Sequence, residues 1–179
     1  MNIEQVETSE QSVNLDNANP IFNDVTQKAQ VLIFKVHEER FGLEIKYIQR
    51  IDSLGTITPM PKVPDFMEGI INLRGTITTL IEFSKFSSKS SKSFLSPSHI
   101  IVLQNERMNL GLIVEMIYDV IYIPIHDLQE DENLPADVVN SYIKCIVRVQ
   151  DKIINIVHAE RIFREIEELD FNQFEDNSE

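Results

Sequence analysis

Four histidines, one cysteine and several acidic clusters are the residues of this 179-residue chain whose types could carry catalysis or hold a metal. Imidazole titrates near neutrality and commonly serves as general base, but it needs a nucleophile within hydrogen-bond reach. His37, His99, His126 and His158 are widely separated, with no zinc-type pair on adjacent helical turns and no nucleophile elbow. They read as strand-end or surface histidines. Cys145 sits in an apolar run, where a thiol behaves as a small hydrophobe. A single cysteine forms no internal disulfide and suits a reducing compartment. A phosphate cradle needs clustered glycines, yet only Gly69 and Gly75 are near each other and no Lys-Ser or Lys-Thr follows them. Asp127, Glu130, Asp131 and Glu132 lack the central glycine and alternating oxygen ligands of a calcium loop and read as a solvated loop. The expectation is no catalytic residue, no metal and no cofactor.

What remains is Arg74. It lies with Gly75 between two apolar runs, Gly69 to Leu73 and Thr76 to Phe83, and follows Asn72. An arginine in such a turn offers a planar donor fork at a fixed place, either to a partner or to nearby carbonyls. Ile48 and Ile51, on an element just upstream, either join the core or line a groove.

The elements that must position these residues are mostly strands. Val31 to Val36 and Arg40 to Ile45 are β-branched and aromatic runs on either side of a charged turn. Leu43, Tyr47, Ile48, Ile51 and Leu54 recur at spacings of three and four, which predicts a short crossover helix closed by Gly55. Pro59, Pro61 and Pro64 break regular structure, so residues 55–68 form a loop. Residues 84–98, rich in Ser and Lys, form a mobile connection that divides the body into two halves. Strands then follow at His99 to Gln104, Asn109 to Glu115, Val120 to Ile125, Tyr142 to Val149 and Lys152 to Val157, with a turn at Asp151-Lys152. Ile162, Phe163, Ile166 and Leu169 give Ala159 to Leu169 a helical period. Short strands at this density indicate a mainly β fold, and two small barrels sharing one core fit best because each half is too small alone.

The net charge of −13 is uneven. Residues 1–30 sum to −4, residues 160–179 to −6, and the 129 residues between them to −3. Residues 1–28 have no apolar periodicity and read as a disordered acidic tail, with residues 170–179 as a second acidic tail around a body spanning 29–169. Acidity of this size repels phosphate backbones and anionic lipid headgroups, against nucleic-acid binding or membrane attachment. No basic-then-apolar leader opens the sequence and no run approaches membrane-spanning length, so the expected location is the cytoplasm.

The segment Pro64-Asp65-Phe66-Met67-Glu68-Gly69-Ile70-Ile71-Asn72-Leu73-Arg74-Gly75 resembles the signature of the CheW family, in which a Pro-x-Phe-x-x-Gly stretch runs into Asn-Leu-Arg-Gly. The resemblance extends from about Gln30 to Phe163, taking in Phe41-Gly42, Gly111-Leu112-Ile113-Val114 and the closing Ile156 to Phe163. It implies two intertwined five-stranded, SH3-like β-barrels with a short crossover helix and a C-terminal helix. It also implies a non-catalytic adaptor coupling the cytoplasmic tips of methyl-accepting chemoreceptors to the regulatory domain of a CheA-type histidine kinase, recruited from the cytoplasm to membrane-bound receptor arrays.

By the same resemblance the receptor-binding residues are Ile48, Arg50, Ile51, Asn72, Leu73, Arg74 and Gly75. Those facing the kinase are Gly111, Leu112, Ile113, Val114 and Glu115. The chain departs from the family at Arg50, where an acidic residue is usual. It departs again at Thr79, Glu82, Phe83 and Ser84, in place of a Pro and then Asp-Leu-Arg, and at His158, commonly Asp. A charge reversal at a groove rim changes which partner surface is tolerated. The other readings are an adaptor of a non-flagellar pathway serving surface motility or gene control, a small β-barrel enzyme, and a nucleic-acid-binding barrel, which would need a basic, aromatic-studded face.

Overall fold

Val31, Leu32, Ile33 and Phe34 are all buried, because the strand they belong to has a hydrophobic core on each side. Val31 and Ile33 join a small core with Ile123, Leu128, Cys145, Val147, Ile154 and Ile156, whereas Leu32, Phe34 and Val36 join a larger one. A strand covered on both faces reads as an unbroken apolar run, which is why Val31 to Phe34 shows no alternation.

The computed structural model describes residues 27–88, 99–135 and 142–175. The expected N-terminal tail falls outside them up to residue 26, as do residues 176–179 of the expected C-terminal one. Ten strands, β1 (Lys28–Val36), β2 (Glu39–Glu44), β3 (Ile48–Ser53), β4 (Met67–Leu73), β5 (Thr76–Glu82), β6 (His99–Gln104), β7 (Asn109–Val114), β8 (Met116–Pro124), β9 (Ile143–Val149) and β10 (Lys152–Val157), form two five-stranded sheets. Helix α1 spans Phe83–Ser88 and helix α2 Ala159–Glu175. The first sheet has the order β8-β1-β2-β10-β9 and the second β3-β6-β7-β5-β4. Each contains one parallel pair, β10 with β2 and β5 with β7, among antiparallel neighbours.

The segments that follow two of the edge strands curl each sheet towards closure. After β8, a one-turn 3₁₀ helix at Ile125–Leu128 brings the Asp127 carbonyl to Cys145 Sγ of β9 at 3.4 Å, and Asp131 N donates to Lys144 O at 3.1 Å. After β3, Thr58 and Ile70 of β4 exchange two backbone hydrogen bonds of 2.8 Å. The fold is the expected pair of intertwined SH3-like barrels.

Three expectations are corrected. The predicted helix over Leu43 to Leu54 is one 3₁₀ turn at Ile45–Tyr47 and then strand β3. Burial alternates along β3, with Ile48 and Leu54 turned to the core and Ile51 to solvent, so the helix-like spacing joins residues of opposite faces. The Ser-rich segment does not divide the barrels, because it joins β5 to β6 inside the second barrel, which is inserted whole between β2 and β8 of the first. Its opening residues form α1, where Phe83, Ser84, Phe86 and Ser87 are buried; residues 89–98 lie outside the described residues. The last hairpin turns at Gln150-Asp151 rather than Asp151-Lys152, with Gln150 at φ 55°.

Candidate protein-interaction site

Asn72, Leu73, Arg74 and Gly75 make the hairpin between β4 and β5. Both central residues have positive φ, Arg74 at 55° and Gly75 at 88°, as a two-residue turn matched to strand twist requires. Glycine adopts this backbone freely, whereas a residue with a Cβ costs about 1–2 kcal/mol there. Asn72 offsets that cost, since its Oδ1 accepts the Gly75 N–H at 2.8 Å. Leu73 faces the core and fixes the hairpin's depth, while the Arg74 side chain is 79% exposed at the tip.

The neighbouring strand β3 supplies the electrostatics. Arg50 Nε donates to Asp52 Oδ2 at 2.7 Å, and Arg50 Nη2 donates to the Leu73 carbonyl at 3.0 Å. Arg74 Nη2 stands 3.8 Å from Asp52 Oδ1. Since β3 and β4 are the two edges of the second sheet, Arg50 stitches its open seam. Two guanidiniums share one carboxylate, so this corner of an acidic protein is locally cationic.

The structure thus brings Arg50 and residues 72–75 together. Ile51 is 43% exposed, whereas Ile48 is half-buried against the larger core and offers less to a groove than expected. Residues 111–114 are a different matter. They lie on β7, between β6 and β5, and all four are buried. A Cβ at Gly111 would stand 2.5 Å from Leu80 Cδ2 and 2.8 Å from Ile100 Cγ2, so the glycine is needed for strand packing. Leu112, Ile113 and Val114 present no side chain to a kinase. Glu115 is partly exposed and accepts the His37 backbone N–H at 3.0 Å.

Asp52, Ile77 and the outer residues of β8 were missed. Ile77, paired with Asn72 in the same hairpin, is 66% exposed. Met116, Tyr118, Val120 and Tyr122, every second residue of β8, are also exposed. That alternation stands in the sequence, but starting the strand at Val120 cut it in half.

Other polar side chains pair with one another. A cleft of about 580 Å³ between α2 and the β6–β7 turn is lined by Tyr47, Asn105, Arg107, Glu160 and Glu167. Tyr47 donates to Glu160 at 2.7 Å, and Asn105 and Arg107 both donate to Glu167, at 3.0 and 2.9 Å. Burial, with Glu160 as acceptor, pushes the Tyr47 hydroxyl up to about 12. Lys85 bridges Glu68 at 2.7 Å and the buried Glu82 at 2.8 Å, which fastens α1 to β4. Among the described residues no three His, Cys, Asp or Glu side chains are grouped to hold a metal ion, and no helix is long and apolar enough to cross a membrane.

Residues 30–167 match the family model described as CheW-like domain. The chemotaxis protein CheW of Thermotoga maritima is 27% identical over 148 residues, covering 80% of this chain and 93% of that protein. That of Rhizobium meliloti is 25% identical over 134 residues, covering 75% and 86%. The crystal structure of scaffolding protein TtCheW from Thermoanaerobacter tengcongensis superposes with a TM-score of 0.64 at 28% identity, covering 73% of this chain and 84% of that one.

Proposed function

The chain belongs to the CheW-like domain family, and from that premise we propose that the hairpin at residues 72–75 is its contact with a chemoreceptor. The protein is a chemotaxis adaptor that couples receptors to a CheA-type kinase. It works by holding partners in place. A scaffold of this kind needs rigid surface features, and the observation that carries the reading is Arg74, an exposed guanidinium on a turn whose conformation Asn72 fixes.

The receptor's cytoplasmic tip is a helical hairpin by family resemblance, and a helix lays apolar residues against an apolar surface. Ile77 on β5 and Ile51 on β3 across the seam, both exposed, offer that surface, with Arg74 bonding polar groups at its edge. The kinase contact expected at Gly111 to Glu115 narrows to Glu115, since the other four residues are buried. The protein works in the cytoplasm and is drawn to membrane receptor arrays through these contacts. An adaptor of a non-flagellar pathway would use the same surface on a different receptor, and binding to a panel of receptor tips distinguishes the two.

Binding of the full chain to a purified receptor-tip fragment and to the kinase regulatory domain tests the reading. Losing one hydrogen bond to a charged group costs about 1.5–3 kcal/mol, or roughly ten- to a hundredfold in affinity. Arg74→Ala is expected to weaken receptor binding by that factor and leave the melting curve unchanged. Wild-type receptor affinity in a folded Arg74→Ala protein would remove the turn from the interface.

A further inference from the structure

The side chain at position 50 is not aimed at solvent. Arg50 is largely covered, its Nε sits 2.7 Å from Asp52 and its Nη2 3.0 Å from the Leu73 carbonyl. Asp52, 18% exposed, therefore has its short bond to Arg50, and Arg74 approaches the same carboxylate only to 3.8 Å. Two cations compete for one anion, and the more covered one holds the closer place.

We propose that Arg50 is a positioning residue that occupies Asp52 and so leaves Arg74 extended for an anionic group, a carboxylate, on the partner's helix. This rests on the reading of residues 72–75 as the receptor contact and adds what that contact selects. With Arg50 in place, Asp52 is neutralised at the seam and the exposed guanidinium carries an unbalanced positive charge towards the partner. Without it, both Asp52 oxygens become available and the Arg74 fork closes on them in the two-bond geometry that guanidinium and carboxylate favour. The partner's carboxylate would then have to displace an internal one. The substitution that marks this chain at position 50 thus acts one residue removed from the interface, through Asp52.

Four variants of the full chain, titrated against the cytoplasmic tip fragment of a chemoreceptor from the same cell, test this. An exposed ion pair contributes up to about 1 kcal/mol, so Arg50→Gln should weaken binding about three- to fivefold. Arg50→Lys keeps a cation on Asp52 and should bind like wild type. Asp52→Asn removes the competitor and should bind at least as tightly as wild type, and Arg50→Gln/Asp52→Asn should recover what Arg50→Gln lost. Nitrogen-15 spectra of the arginine side chains supply a readout that needs no partner: Arg74 should shift in Arg50→Gln and not in Arg50→Lys. If Arg50→Lys falls as far as Arg50→Gln, position 50 serves only its bond to Leu73 and the inference fails. If Arg50→Gln binds like wild type while Arg74→Ala does not, the inference also fails and the receptor contact stands. If Arg74→Ala itself binds like wild type, the receptor contact is what fails.

Discussion

Phe34 of β1 and Phe83 at the start of α1 meet edge to face with ring centroids 5.6 Å apart, and Phe41 of β2 lies 5.7 Å from the first and 5.1 Å from the second. Two of the three rings belong to the first barrel and one to the second, and all three are buried. The barrels are therefore joined through a common core rather than a linker. Phe83→Ala should cost about 3–5 kcal/mol, the usual loss for a buried aromatic. The loss should appear as one transition, with far-ultraviolet dichroism and tyrosine fluorescence coinciding in urea. Two separated transitions would mean the barrels unfold independently.

Gly69 stands where the chain crosses itself. Its φ is 132°, and a Cβ there would lie 2.2 Å from the Thr58 carbonyl oxygen, which takes part in the bridge beside β4. Backbone cannot yield as a side-chain end can. Gly69→Ala should therefore destabilise by more than the roughly 1–3 kcal/mol typical of overpacking, and by more than Gly111→Ala, whose clashes are with methyl groups of Leu80 and Ile100. Urea midpoints of the two variants decide the order, and equal values would refute it.

Cys145 tests whether the first barrel stays shut. The thiol is 4% exposed and donates to the Asp127 carbonyl, and burial pushes its pKa up to about 11. The reactive species is the thiolate, so in native buffer near neutrality the protein should resist a disulfide reagent and react stoichiometrically once unfolded in urea. Rapid labelling of the native protein would show that the 3₁₀ segment after β8 opens readily.

Some of this was legible before any coordinates. The hairpin at Arg74-Gly75 was, because a two-residue turn has a chemistry of its own and Asn72 advertises it. The Arg50–Asp52–Arg74 relationship was not, since it depends on β3 meeting β4 across a barrel seam between residues more than twenty apart. Likewise no local pattern reveals that β1 and β2 pair with strands at the far end of the chain. Ile48, Ile51 and Leu54 deceived because Ile51 is an apolar residue on the outer face of a strand, and counting it with the inward Ile48 and Leu54 mimics a helical period. Gly111 to Val114 deceived in another way: a motif can mark a family by how tightly its strands pack rather than by what it binds. Phe83 and Phe86 were hidden in a segment whose serines and lysines dominate its composition.

His158 makes stability depend on pH in a predictable direction. The residue precedes α2, and its carbonyl accepts the Arg161 and Ile162 N–H groups. Burial lowers its pKa below the ordinary 6.5, the Arg161 cation adds to the effect, and Glu130 at 3.8 Å opposes it, as does Glu160. A folded-state value below the unfolded one means the unfolded chain binds the proton more tightly. The contribution is thus complete above about pH 6.5 and is lost as pH falls through the lowered value. Glu44 acts in a separate window. Burial raises its pKa, but the hydrogen bonds and charges of Lys46 and Lys144 bring it below 4.5, so its contribution is lost only in more acidic solution. Urea denaturation from pH 8 to pH 5 should show unfolding free energy falling on the acid side, and His158→Gln, which cannot take up the proton, should flatten that decline. An identical slope in the variant would assign the decline to other groups.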